Sequence, residues 1–235
     1  MSGPGRRPRG RVDRPARQRP CGPVPVTALV VAGSVAATVR PAMTGAAYAS
    51  PVEAGELTGP VVAADLPLTF TAAAVALAGG ATGVVLVDSI PEAVAYGVSS
   101  PAALAVGRPQ GRTLAGVLAV AGAAGVIAGR DVVLVSPGAA AAAVVARQVA
   151  RLWCASLMVA SATARSVASS GVGAPTYVLD QRSPAQRLAV EAVERARVGG
   201  VPDQPWATAV DVFDFAVEAA WLGGRLRLQA VRPNW

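Results

Sequence analysis

Val61-Val62-Ala63-Ala64-Asp65 and Val84-Val85-Leu86-Val87-Asp88-Ser89 stand on either side of an alanine-rich segment, residues 71–78, that stops at Gly79-Gly80. Each outer piece is a short apolar run that closes on an aspartate, which is how a strand buried on both faces reads. The middle piece predicts a helix. Alanine loses little side-chain entropy in a helix, and a glycine pair suits the left-handed residue that ends one. Asp88-Ser89 then offers a capping side chain ahead of Pro91-Glu92, and both of those residues favour a first helical turn. Strand, helix, strand and helix in close succession predict an α/β domain whose sheet is covered on both faces.

The alternation continues outward. Strands are expected at 103–106, 132–135, 157–160 and 177–179, with helices over 139–149, 163–169 and 183–197. At the C-terminal end, Leu226-Arg227-Leu228-Gln229-Ala230-Val231 alternates like an edge strand. The expectation is one layered domain over residues 51–235, with a mostly parallel or mixed sheet and helices on both faces. A chain of 235 residues has room for one such domain rather than two. Residues 1–25, rich in Pro, Gly and Arg, have little to bury and read as a disordered tail. Residues 26–50 admit two readings. One is an apolar extension with a first strand at 27–32. The other is an export signal, with Arg6-Arg7 ahead of it and Ala47-Tyr48-Ala49 as a cleavage site.

A hydrophobic fraction of 53% invites a membrane reading. The uncharged stretch 113–129, however, is mostly Ala and Gly with scattered Val and Leu. It falls short of the roughly 20 strongly apolar residues a spanning helix needs, so no membrane span is expected. The net charge of +7 is a local property. All 21 basic residues are Arg, and seven of them precede residue 20, leaving 14 Arg against 13 acids in the rest. The body is nearly neutral, and no specific nucleic-acid surface is expected on it. Cys21 and Cys154 without a single His make no usual zinc site, and Cys154 reads as a buried apolar residue. The lack of His also excludes Ser-His-Asp and Cys-His catalysis. Chemistry is left to carboxylates, hydroxyls, Arg, backbone amides or an oxygen-bound metal.

Within that inventory, Asp65 closes a strand, where α/β sites are built. Thr69, Thr71 and Ser136 offer hydroxyls, Gly138 an amide at a helix start, and Arg108 a cation. Each also has a plainer reading. Asp65 serves equally as a turn or capping residue, Ser136-Pro137-Gly138 as a strand-to-helix turn, and Arg108 as a solvated loop residue.

The stretch from Val61 through Asp65, Thr69 and Thr71 to Ala93 resembles in order and spacing the opening of the 2-phosphosulfolactate phosphatases. Gly107, Gly111 and Gly116 fall where that family has a glycine-rich loop, and Gly129-Arg130-Asp131-Val132-Val133-Leu134 resembles a later strand of it. Segments 155–168 and 183–197 follow the same order. The resemblance implies a cytoplasmic, Mg²⁺-dependent hydrolase of a small phosphorylated acid, possible as a homo-oligomer, with Asp65 as catalytic and metal carboxylate. It departs from the family at its polar positions. Leu68 replaces an Arg, Arg108-Pro109 a Glu-Arg, Val117-Leu118 a Phe-Asp, Ala121-Gly122 an Asn-Ser, and Val135 to Ala140 a Thr-Thr-Asn-Gly-Thr loop. Two alternatives therefore stand beside the enzyme: a catalytically impaired binding module on the same fold, and an exported envelope-associated domain.

Overall fold

Every strand of the opening stretch is apolar at successive positions, so each must bury two faces at once. In the computed structural model they do. It describes residues 47–49, 57, 59–64, 69–106, 114–136, 145–149, 151–171, 173–178, 184–197 and 211–233. The tail expected at 1–25, the strand expected at 27–32 and most of the helix expected at 139–149 lie outside them.

The described strands are β1 (Ala47–Ala49), β2 (Val61–Ala64), β3 (Gly83–Val87), β4 (Leu104–Val106), β5 (Asp131–Val135), β6 (Leu152–Ala155), β7 (Thr176–Val178), β8 (Ala216–Leu222) and β9 (Arg225–Val231). They form one mixed sheet in the order β1-β7-β2-β6-β8-β9-β3-β5-β4. The helices are α1 (Thr69–Ala78), α2 (Ile90–Ser99), α3 (Leu114–Ala123), α4 (Ala160–Ser169) and α5 (Pro184–Arg197). This is the α/β class the sequence predicts.

Alternate residues of each strand enter different cores, as a period of two requires. Val61, Ala63, Val84, Leu86, Val132, Leu134, Leu152 and Cys154 point to a central cluster built around α1, with Phe70 and Leu118 inside it. Their neighbours Val62, Ala64, Trp153 and Ala155 point the other way, onto Ala164 of α4 and Val190 of α5. At the other end of the sheet Val85, Val87 and Val133 meet Ala93 and Tyr96 of α2. Helices cover both faces. Cys154 is buried, as its apolar context implies.

Parallel pairing holds β1, β7, β2 and β6 together, and separately β3, β5 and β4. Between the two groups lies the antiparallel hairpin β8–β9. Three antiparallel pairings in succession reverse the sense of direction, so the two parallel groups run opposite ways. The hairpin turns at Gly223-Gly224, both with positive φ (58° and 78°), the conformation that a two-residue turn matched to strand twist demands.

Two expectations need correction. Residues 157–160 are not a strand: Leu157–Val159 form a 3₁₀ turn and Ala160 opens α4. The strand is Leu152–Ala155, buried along its whole length and ending ahead of that turn. A short apolar run cannot be assigned to strand or helix by periodicity alone, and the helix that follows this one is tied to Asp211. Its carboxylate accepts from the backbone N–H and the hydroxyl of Ser161. The second correction concerns β9. It is central, lying between β8 and β3, and not at an edge. Its alternation arises because Leu226 and Leu228 enter the core, whereas Arg225, Arg227 and Gln229 occupy a strip of the opposite face.

α1 and α3 cross where the sequence places glycine on both sides of the contact. A Cβ on Gly122 would stand 3.1 Å from the Gly79 Cα, and one on Gly79 would stand equally close to the Gly122 Cα. Valine at 122 has no room without separating the helices, and overpacking of this kind costs about 1–3 kcal/mol. Gly122→Val is expected to lower Tm by at least ~3 °C in a thermal melt. An unchanged Tm would show that the two helices separate freely.

Candidate functional site

Thr69 opens α1 and Ser136 follows the last residue of β5. They are 67 positions apart in sequence, yet Thr69 Oγ1 and Ser136 Oγ lie 3.2 Å apart, both buried. The Ser136 N–H donates to the Val87 carbonyl at 2.8 Å, which fixes the ends of β5 and β3 against each other. Ser136 continues the inward parity of Val132 and Leu134, so its hydroxyl faces α1.

Two properties of this point favour a negatively charged ligand. A helix start presents backbone N–H groups and the positive end of the helix dipole. The first turn of α1 also carries no acidic residue to offset that field. Thr71 sits in the same turn, half-buried. The nearby end of β3 leads to Asp88, whose N–H donates to Glu92 Oε2 at 3.1 Å, while the Glu92 N–H donates to Ser89 Oγ at 3.4 Å. These two bonds satisfy the start of α2, as the Asp88-Ser89-Pro91-Glu92 pattern predicts.

Of the residues expected to build a site, the structure brings Thr69 and Ser136 together and places Thr71 in the same helical turn as Thr69. Asp65, Arg108 and Gly138 lie outside the described residues. Among the described residues no three Asp, Glu or Cys side chains converge. A pair of neutral hydroxyls does not by itself fit Mg²⁺, which takes one or two carboxylates. No helix among the described residues is long and apolar enough to cross a membrane.

Among the positions that differ from the 2-phosphosulfolactate phosphatase pattern, Leu118, Ala121 and Gly122 have packing roles. Leu118 is fully buried in the central cluster, Ala121 packs against it, and Gly122 meets Gly79. Polar groups at these points would face the core rather than a ligand.

A second constellation was not anticipated as a site. Asp131 opens β5 and accepts four hydrogen bonds. Arg227 donates from Nη1 to Oδ2 and from Nη2 to Oδ1, each at 2.7 Å; Tyr96 OH donates to Oδ2 at 3.1 Å; Thr82 Oγ1 donates to Oδ1. Arg227 reaches Asp131 from β9 by passing over β3 at Gly83, where any Cβ would stand 2.6 Å from the guanidinium. Burial of the Asp131 carboxyl opposes its ionisation. The hydrogen bonds from Arg227, Thr82 and Tyr96, with the Arg227 charge, outweigh burial and hold its pKa below the ordinary value. The Arg227 pKa is raised in turn, chiefly by its hydrogen bonds to Asp131.

A carboxyl whose pKa is lower folded than unfolded contributes stability that is complete above the unfolded value, near 3.8. That stability is lost as pH falls through the folded value. Wild type is therefore expected to lose Tm more steeply than Asp131→Asn below about pH 4. Parallel melting curves for the two proteins from about pH 6 down to about pH 2.5 would remove Asp131 from the account.

No family model matches the chain, and no curated protein matches it.

Proposed function

We propose that the domain holds the phosphoryl group of a small phosphorylated acid at the Thr69–Ser136 edge, as a divergent relative of the 2-phosphosulfolactate phosphatases. The observation that carries this reading is the buried hydroxyl pair, set where a helix N-terminus meets a strand's C-terminal end. Hydroxyls and helix-start amides are donors suited to phosphoryl oxygens, and such donors stabilise charge as a P–O bond breaks. In this reading Thr69, Thr71 and Ser136 orient the phosphoryl group, with Gly138 adding an amide and Arg108 a cation. Asp65 positions the attacking water.

The test is a screen of small phosphate monoesters with purified protein, with and without Mg²⁺. Turnover is expected to fall at least ~10-fold in Ser136→Ala, because one preorganised donor to a developing oxyanion is lost. Turnover that Ser136→Ala leaves intact would place the chemistry elsewhere.

Leu118 and Gly122 favour a second reading, a binding module without catalysis. Where the family carries polar side chains, this chain uses the positions for core packing. Saturable binding of a phosphorylated acid with no turnover under any condition of the screen selects this reading over the first. Both readings keep the same anion subsite.

A further inference from the structure

On the sheet face opposite the Thr69–Ser136 pair, α2 and the turn of the β8–β9 hairpin leave a cleft of about 380 Å³, lined by Val85, Tyr96, Ser100, Leu222, Gly223, Arg225 and Arg227. Its two cations differ in state. Both terminal nitrogens of Arg227 are engaged with Asp131. Arg225 has its guanidinium carbon 4.6 Å from the Tyr96 ring centroid and makes no ion pair or hydrogen bond among the described residues.

The groups facing the cleft are thus Arg225, Arg227 and, behind Arg227, Asp131, so the net formal charge is one positive. Tyr96 is a fixed platform, because its hydroxyl donates to Asp131. A guanidinium over a ring keeps its planar fork of N–H donors, the geometry that matches a planar oxyanion. The Ser100 hydroxyl makes no hydrogen bond among the described residues and supplies a further donor, while Val85 and half-exposed Leu222 supply apolar walls.

We propose that this cleft is a binding site for a small organic carboxylate whose apolar body rests against Val85 and Leu222 and whose head group meets Arg225 and Ser100. The charge favours carboxylate over phosphate. One uncommitted cation balances one negative charge, whereas a phosphate dianion would need Arg227 as well, and Arg227 is held by Asp131.

Titration calorimetry with benzoate and, separately, inorganic phosphate tests the assignment. Benzoate is expected to bind wild type saturably. Arg225→Gln is expected to weaken that binding at least ~10-fold, and Ser100→Ala to weaken it by a smaller factor, with circular dichroism showing both variants folded. Ser136→Ala, on the other face, is expected to bind benzoate as wild type does, which separates this site from the proposed phosphoryl subsite. The assignment is overturned if wild type shows no saturation. It is likewise overturned if folded Arg225→Gln titrates with benzoate like wild type, or if Arg225→Gln weakens phosphate binding more than benzoate binding.

Discussion

Phe70→Ala is expected to lower Tm by about 10 °C. Phe70 is the second residue of α1 and is fully buried among the inward residues of β2, β3, β5 and β9. Truncation removes the ring and leaves a cavity that the surrounding strands, fixed by their hydrogen bonds, fill only in part. Phe-to-Ala changes in such cores cost about 3–5 kcal/mol, a large part of the roughly 5–15 kcal/mol that keeps a domain folded. Ile90→Ala is the control. Ile90 is 69% exposed on α2, and a substitution there is expected to shift stability by less than ~0.5 kcal/mol. Equal melting temperatures for Phe70→Ala and wild type would mean that α1 does not organise the core.

Asp65→Asn carries the largest expected effect on activity. If the domain is a phosphatase, the change should cut turnover by at least ~100-fold, because an amide neither holds a cation nor positions a nucleophile as a carboxylate does. Stability should barely move, since an isosteric amide keeps the hydrogen bonds a turn requires. Steady-state kinetics with a thermal melt on the same sample separates the two effects. Robust hydrolysis that survives Asp65→Asn would move the search to Asp88, Asp180 or Asp214.

Strands were legible where both faces are buried. Val61–Ala64 and Gly83–Val87 are apolar at every position because each residue enters a core, and turn signals mark their ends. The helix α2 was legible from its capping residues. Leu157-Met158-Val159 was not, because an apolar run of that length serves a 3₁₀ turn as well as a strand. The β8–β9 hairpin carries a signal in Gly223-Gly224 between an apolar segment and an alternating one. Its place in the middle of the sheet depends on pairing with β3, which no local pattern encodes.

The candidate site divides in the same way. Thr69 and Ser136 were legible one at a time, from their positions at a helix start and a strand end. Their contact was not, since it depends on how α1 packs over β5. The Asp131–Arg227 pair spans 96 positions and leaves only one local trace, a glycine at position 83 where a strand would favour a side chain.

The central claim, that the Thr69–Ser136 edge holds a phosphoryl group, is tested most directly by titrating a small phosphorylated acid such as 2-phosphosulfolactate into wild type and into Thr69→Val/Ser136→Ala. Calorimetry is expected to show saturable binding to wild type, weakened at least ~10-fold in the double variant, because both hydroxyl donors to a charged ligand are gone. Equal affinity in the two proteins, with the variant folded, would contradict the claim.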